Sequence, residues 1–94
     1  MSMEFEWDEE KAAVNERAHG LAFHEAIVAF RDPFAVEHLD DRESYGEERV
    51  NLVGMCAGIL VHVTYTMRTD RIRVISARRA DRHEQDDYYR ENSS

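Results

Sequence analysis

The chain has 94 residues, enough for one domain and too few for two ordinary ones, and its 43% hydrophobic and 10% aromatic content argues against disorder. A single thiol, Cys56, excludes an internal disulfide and a cysteine-rich zinc site. The net charge of −8 argues against a generic nucleic-acid binder, yet between Thr66 and Arg82 six arginines face only Asp70 and Asp81, a local charge of about +4.

In chain order, Met3–Trp7 alternates well enough for a short strand, with Phe5 and Trp7 on one side. Asp8 is a good N-cap, and Glu9 and Glu10 put negative charge in the first turn of a helix that runs to about Ala18 and stops at Gly20. A second helix follows, with Phe23, Ala26, Ile27 and Phe30 at core-facing spacing, and Asp32-Pro33 ends it. Phe34–Leu39 is a weaker strand candidate, and Asp40–Glu48 is an acidic connection. Arg49–Cys56 and Ile59–Thr66 are separated by Ala57-Gly58, a two-residue loop that suits a hairpin. That loop pairs Cys56 with Ile59, Leu52 with Val63 and Val50 with Tyr65. The next connection, Met67–Asp70, is expected to pair Thr66 with Arg71 and Val63 with Val74. Asp81 and Glu84 form a capping box for a last helix that carries Tyr88 and Tyr89. The expected fold is a single α+β domain over residues 1–94: a small antiparallel sheet of three to four strands, two N-terminal helices on one face, and a C-terminal helix.

This register gives the sheet an apolar face and an opposite face whose rows read Arg49–Thr66–Arg71, Asn51–Thr64–Arg73, Val53–His62–Ile75 and Met55–Leu60–Ala77. A one-residue slip would bury arginine instead. The last helix is expected to cover the apolar end of the second face and leave the cationic end open. Arg49, Arg71 and Arg73 beside Asn51, Thr64 and His62 are suited to gripping a phosphodiester and stabilising charge on phosphorus, and equally suited to structural pairs with Glu47 or Glu48. His19 reads either as a cap at a helix C-terminus or as a general acid or base. Lys11, the only lysine, has Asp8 as a local partner. Trp7, Phe23 and Phe30 read as core aromatics. The acidic groups at 8–10, 40–43 and 47–48 read as caps and solvated loops. No phosphate-binding glycine loop, nucleophile elbow or zinc signature is present, the five histidines lack ligand spacing, and neither metal nor cofactor is expected. The longest apolar run, Gly58 to Val63, falls far short of the ~20 residues of a membrane span. With no leader pattern, the cytoplasm is the expected compartment.

Phe5-Glu6-Trp7-Asp8-Glu9-Glu10-Lys11, Asn15, His19-Gly20, Phe23-His24-Glu25-Ala26, Phe30-Arg31-Asp32-Pro33 and Glu48-Arg49 resemble the BrnT-type toxin family. So does Arg71-Ile72-Arg73-Val74-Ile75-Ser76-Ala77-Arg78-Arg79-Ala80 with Glu84 and Tyr88, and the resemblance spans nearly the whole chain in order. It implies a fold similar to the RelE-type ribonucleases and a toxin of a type II toxin–antitoxin pair that inhibits translation by cutting mRNA or ribosome-associated RNA. It also implies a BrnA-like ribbon-helix-helix antitoxin as partner, with DNA reached only through that antitoxin and no membrane involved. A homodimer and a heterotetramer with antitoxin both stay open. The scheme that follows is metal-independent attack of a 2′-hydroxyl on the adjacent phosphate, with Arg73 and Arg49 on the phosphoryl oxygens, Arg78 positioning the backbone, and His19 or Lys11 moving the proton. Ala18 stands where the family usually carries a basic residue, and Asp81 makes the last helix start acidic. The alternative expectation is a homologue that binds antitoxin and tunes transcription without cutting RNA.

Overall fold

The structure is a computed structural model that describes residues 3–40 and 46–93, so the part of the acidic connection from 41 to 45 lies outside the described residues. The elements are β1 (Glu4–Glu6), α1 (Glu9–His19), α2 (Phe23–Ala26) leading into a 3-10 turn (Ile27–Arg31), β2 (Val36–Asp40), β3 (Arg49–Cys56), β4 (Ile59–Arg68), β5 (Arg71–Arg79) and α3 (Arg82–Glu91). The strands form one sheet in the order β1-β5-β4-β3-β2. β1 runs parallel to β5 and the other pairs are antiparallel.

The expected antiparallel sheet of three to four strands is therefore corrected to a mixed sheet of five. Both weak candidates become strands, one at each edge. The parallel pairing of β1 escapes a local reading because its partner lies beyond two helices and three other strands. The α+β class and the C-terminal helix stand as expected.

Local chemistry explains the N-terminal half. The Asp8 carboxylate accepts the N–H groups of Glu10 and Lys11, at 2.9 and 3.1 Å, which starts α1. Gly20 ends it, its N–H bonding the Glu16 carbonyl at 2.7 Å. The second helix keeps only one α turn before it tightens at Ile27. Close packing accompanies this change: a Cβ on Gly54 of β3 would lie 2.8 Å from the Ala29 carbonyl oxygen, so only glycine lets the 3-10 turn approach the sheet. Ala26 and Ala29 are fully buried there.

The β3–β4 register is the expected one, closed by Ala57 (φ 50°) and Gly58 (φ 82°), both left-handed as a primed turn requires. The β4–β5 register is corrected. β4 continues to Arg68 and turns on Thr69-Asp70, so Thr66 pairs with Arg73 and Tyr65 with Val74. A bulge then inserts Ile75, after which Thr64 faces Ser76, Val63 faces Ala77 and His62 faces Arg78.

One face of the sheet carries the main core: Leu52, Val61, Val63, Tyr65, Ile72, Val74 and Ala77 under Phe23, Ala26 and Ala29. Phe5, Phe30 and Tyr65 stack edge to face with centroids 5.0 Å apart, and Trp7 meets Phe23 at 5.9 Å, which makes Trp7, Phe23 and Phe30 core aromatics. On the other face α3 covers one end, with Tyr88 packed on Val53, Leu60 and Ala80. The cationic end stays outside that cover. Among the described residues no helix is long and apolar enough to cross a membrane.

Candidate functional site

β1 pairs with β5 only as far as Arg73, so the outer edge of β5 would be bare beyond it. Asn15 of α1 fills that edge. Its amide donates to the Ala77 carbonyl at 2.7 Å and accepts the Ala77 N–H at 3.2 Å, as a neighbouring strand would. A third bond, from Nδ2 to the Leu21 carbonyl at 3.2 Å, satisfies a side chain that is buried. The helix is thereby locked along the sheet edge.

A cavity of about 120 Å³ lies between this helix and the open end of the sheet, lined by Asp8, Lys11, Glu47, Arg49, Arg68 and Arg73 with Val74 and Ile75. Lys11 and the bulged Ile75 also line an adjoining hollow of about 390 Å³ that contains Val14, Ala18 and His19. The corrected register builds the site. Extending the β3–β4 pairing by one residue sets Arg49 beside Thr66, and Thr66 pairs with Arg73. The two arginines thus flank a central strand, roughly 10 Å apart at the backbone. Two long guanidinium side chains at that spacing can close on one phosphate from opposite sides. Thr66, nearly fully buried, holds the row by donating to the Glu48 carbonyl at 2.6 Å.

Carboxylates organise the cations. Arg73 donates from one terminal nitrogen to Glu6 at 2.9 Å, while its side chain also lines the cavity. Arg71 lies 3.8 Å from Glu4 and 3.9 Å from Glu6, on the exposed side of the same cluster. Arg68 bonds Glu47 through Nε at 3.2 Å and a terminal nitrogen at 3.5 Å. The Lys11 N–H, above all, holds the Asp8 carboxyl below its ordinary pKa; slight desolvation opposes it, and the Glu10 N–H and the charges of Lys11 and Arg73 add to it. The charged side chains that line the cavity are four cations and two carboxylates, so cationic groups predominate in its wall on an acidic body.

The other sequence-derived candidates lie elsewhere. Arg78 makes a two-pronged bond to Glu84 with both distances 2.8 Å, and His62 approaches Glu84 at 3.6 Å. Burial works to raise the Glu84 carboxyl, but the Arg78 bond, the Asp81 N–H and the charges of His62 and Arg78 outweigh it and hold the group low. Asn51 accepts the Thr64 hydroxyl at 2.7 Å, and both Thr64 and His62 are buried. Asn51, His62, Thr64 and Arg78 therefore belong to the ground under and beside α3. His19 sits in the last turn of α1 at the far end of the larger hollow. The structure brings together Lys11, Arg49 and Arg73, with His19 next door.

Arg68 and Glu47 also line this cavity, although the sequence marks Arg68 only as part of the basic stretch and Glu47 only as a structural partner for the arginines. A strand expected to end at Thr66 leaves Arg68 in the turn, whereas β4 continues through Met67 to Arg68. Glu47 stands in the bend two residues before β3 begins at Arg49, where no strand periodicity marks it. Among the described residues no group of three His, Cys, Asp or Glu side chains is placed to hold a metal ion.

Comparison with curated proteins finds no match. The family model for the ribonuclease toxin BrnT of type II toxin–antitoxin systems matches residues 7–84, a span that contains Lys11, Glu47, Arg49, Arg68 and Arg73. On a match over most of its length, the chain belongs to the BrnT family of type II toxin–antitoxin ribonuclease toxins.

Proposed function

We propose that this toxin inhibits translation by cutting RNA without a metal ion, at the cavity between α1 and the open end of the sheet. The observation that carries this reading is the convergence of Lys11, Arg49, Arg68 and Arg73 on one cavity. RNA carries its own nucleophile, the 2′-hydroxyl, so the protein has only to bind the phosphate, stabilise its developing charge and move protons. Arg73 and Arg49 hold the phosphoryl oxygens from either side of β4. Lys11, positive and in the same cavity, gives a proton to the departing 5′-oxygen, and His19 faces the flanking nucleotide. Arg71 guides the backbone toward Arg73. Arg78 has a different part here: its bond to Glu84 fastens α3 to the sheet.

Membership of a toxin–antitoxin family implies an antitoxin partner. A BrnA-like ribbon-helix-helix protein fits that place, with DNA contacted through the antitoxin alone. The test is cleavage of total RNA by the purified chain in the presence of a chelator. Loss of one charge-stabilising donor at a transition state costs roughly 100- to 1,000-fold in rate. An Arg73→Ala variant with an unchanged melting curve is expected to lose at least that much. Cleavage that stops with chelator, or that survives Arg73→Ala, contradicts the scheme.

A further inference from the structure

The scheme above names a proton donor but no group to take the proton from the 2′-hydroxyl. Four described carboxylates lie near the arginines, and Glu4, 3.8 Å from Arg71, stands on the exposed side and does not line the cavity. Asp8 is bound by two N–H groups at the start of α1, and its job there is structural. Glu6 is taken up by Arg73 at 2.9 Å and does not line the cavity. Glu47 lines the cavity together with Arg49, Arg73 and Lys11, and it stands in the bend two residues before β3 begins at Arg49. Among the described residues its carboxylate is steered by Arg68 alone, at the long distances of 3.2 and 3.5 Å, and it keeps partial exposure. A carboxylate held in direction but loosely bonded retains lone pairs to accept a proton. Among the described carboxylates Glu47 alone has position, access and acceptor capacity together.

We infer that Glu47 is the general base of the ribonuclease reaction and that Arg68 is the residue that positions it; this rests on the ribonuclease reading given above. As the 2′-oxygen bonds to phosphorus, Glu47 takes the 2′-hydroxyl proton. The bond from phosphorus to the 5′-oxygen breaks, and Lys11 protonates that oxygen. The products are a 2′,3′-cyclic phosphate and a 5′-hydroxyl. Glu47 is left protonated and Lys11 neutral, and exchange with water restores both. No oxidant, reductant or further reactant takes part.

The test uses the full chain, single-stranded RNA of mixed sequence as the cleavage probe, and the same RNA with 2′-deoxy sugars as a binding probe that cannot react. General-base catalysis contributes roughly 100- to 10,000-fold. Glu47→Gln is therefore expected to lower kcat by at least about 100-fold while binding of the 2′-deoxy probe and the melting curve stay near wild type. The acidic limb of the wild-type pH–rate profile should vanish in Glu47→Gln, and Glu47→Asp should recover part of the rate with that limb present. Arg68→Met should lower kcat without matching the loss of Glu47→Gln. A Glu47→Gln protein that cleaves at the wild-type rate with its acidic limb intact overturns the role of Glu47 and leaves the ribonuclease reading standing. A wild-type chain that binds the 2′-deoxy probe and cuts no RNA overturns both.

Discussion

Asn15 sits one helical turn after Lys11, and residues four apart on a helix lie above one another on the same face. Because the Asn15 amide is tied to both backbone groups of Ala77, Lys11 is presented along the edge of β5 toward the cavity. An asparagine thus sets the position of the only lysine. Elsewhere single residues carry strain. Ala57 occupies φ 50° in the β3–β4 turn, a conformation that costs a residue with a Cβ roughly 1–2 kcal/mol. Its side chain is exposed, so removing the methyl group loses no packing. Glycine there costs roughly 0.5–1 kcal/mol more chain entropy on folding. Ala57→Gly should therefore stabilise the fold by about 0.5–1 kcal/mol and raise Tm by a few degrees in a thermal melt, whereas a lower Tm would show that the turn is not of the primed kind.

α3 is held by a hub that the chain places just before its only proline. Asp32 accepts the Tyr88 hydroxyl at 2.7 Å, the Met55 N–H at 2.8 Å and the Phe34 N–H at 2.8 Å. Burial pushes its carboxyl up, but these three donors, Tyr88 first, outweigh that and leave it below the usual 3.8. Burial, then Asp32 itself, drives the Tyr88 phenol to about 12, so it remains a donor at neutral pH. Both carboxylates that fasten α3, Asp32 and Glu84, have folded values below their unfolded ones. Their contribution is full well above the unfolded values of 3.8 and 4.5, and it fades as pH falls through them toward the folded values. Tyr88→Phe should cost about 1.5–3 kcal/mol in urea unfolding at pH 7, the loss of a hydrogen bond to a charged acceptor. It should also flatten the decline of stability between about pH 5 and pH 3, because Asp32 is then stabilised less as an anion. An unaltered acid profile in this variant would contradict the hub.

The hub also shows where the sequence is silent. Asp32-Pro33 was legible as a helix stop, but nothing local says that its carboxylate will meet a tyrosine 56 positions later. The Ala57-Gly58 hairpin was legible in full because a two-residue loop fixes register by itself. The β4–β5 hairpin was not, because Thr69-Asp70 carries no glycine and the Ile75 bulge shifts every later pair by one. Both matter for the site. The tight Thr69-Asp70 turn sets Arg73, and not Arg71, in the row of Arg49, and the bulge turns Arg78 toward His62 and Glu84 under α3. Arg49, Arg73 and Lys11 could be picked out as candidates from charge and resemblance, but their meeting depends on Asn15 and on the Thr69-Asp70 turn. Neither leaves a periodic mark in the sequence.

At the scale of the molecule, a chain of net charge −8 gathers Lys11, Arg49, Arg68 and Arg73 around one cavity at one end of the sheet. An acidic body disfavours a long polyanion as a whole, so phosphate binding at that cavity rests on few contacts. Each of those contacts then weighs heavily, and deleting one arginine should remove function and not merely weaken it. The direct measurement is controlled expression in a bacterial host of the chain and of its Arg73→Ala variant, following growth and total RNA integrity with soluble protein confirmed for both. The account expects growth arrest with fragmented RNA for the chain, and normal growth with intact RNA for Arg73→Ala. Normal growth and intact RNA with the unaltered chain, or equal RNA damage from both proteins, would contradict it.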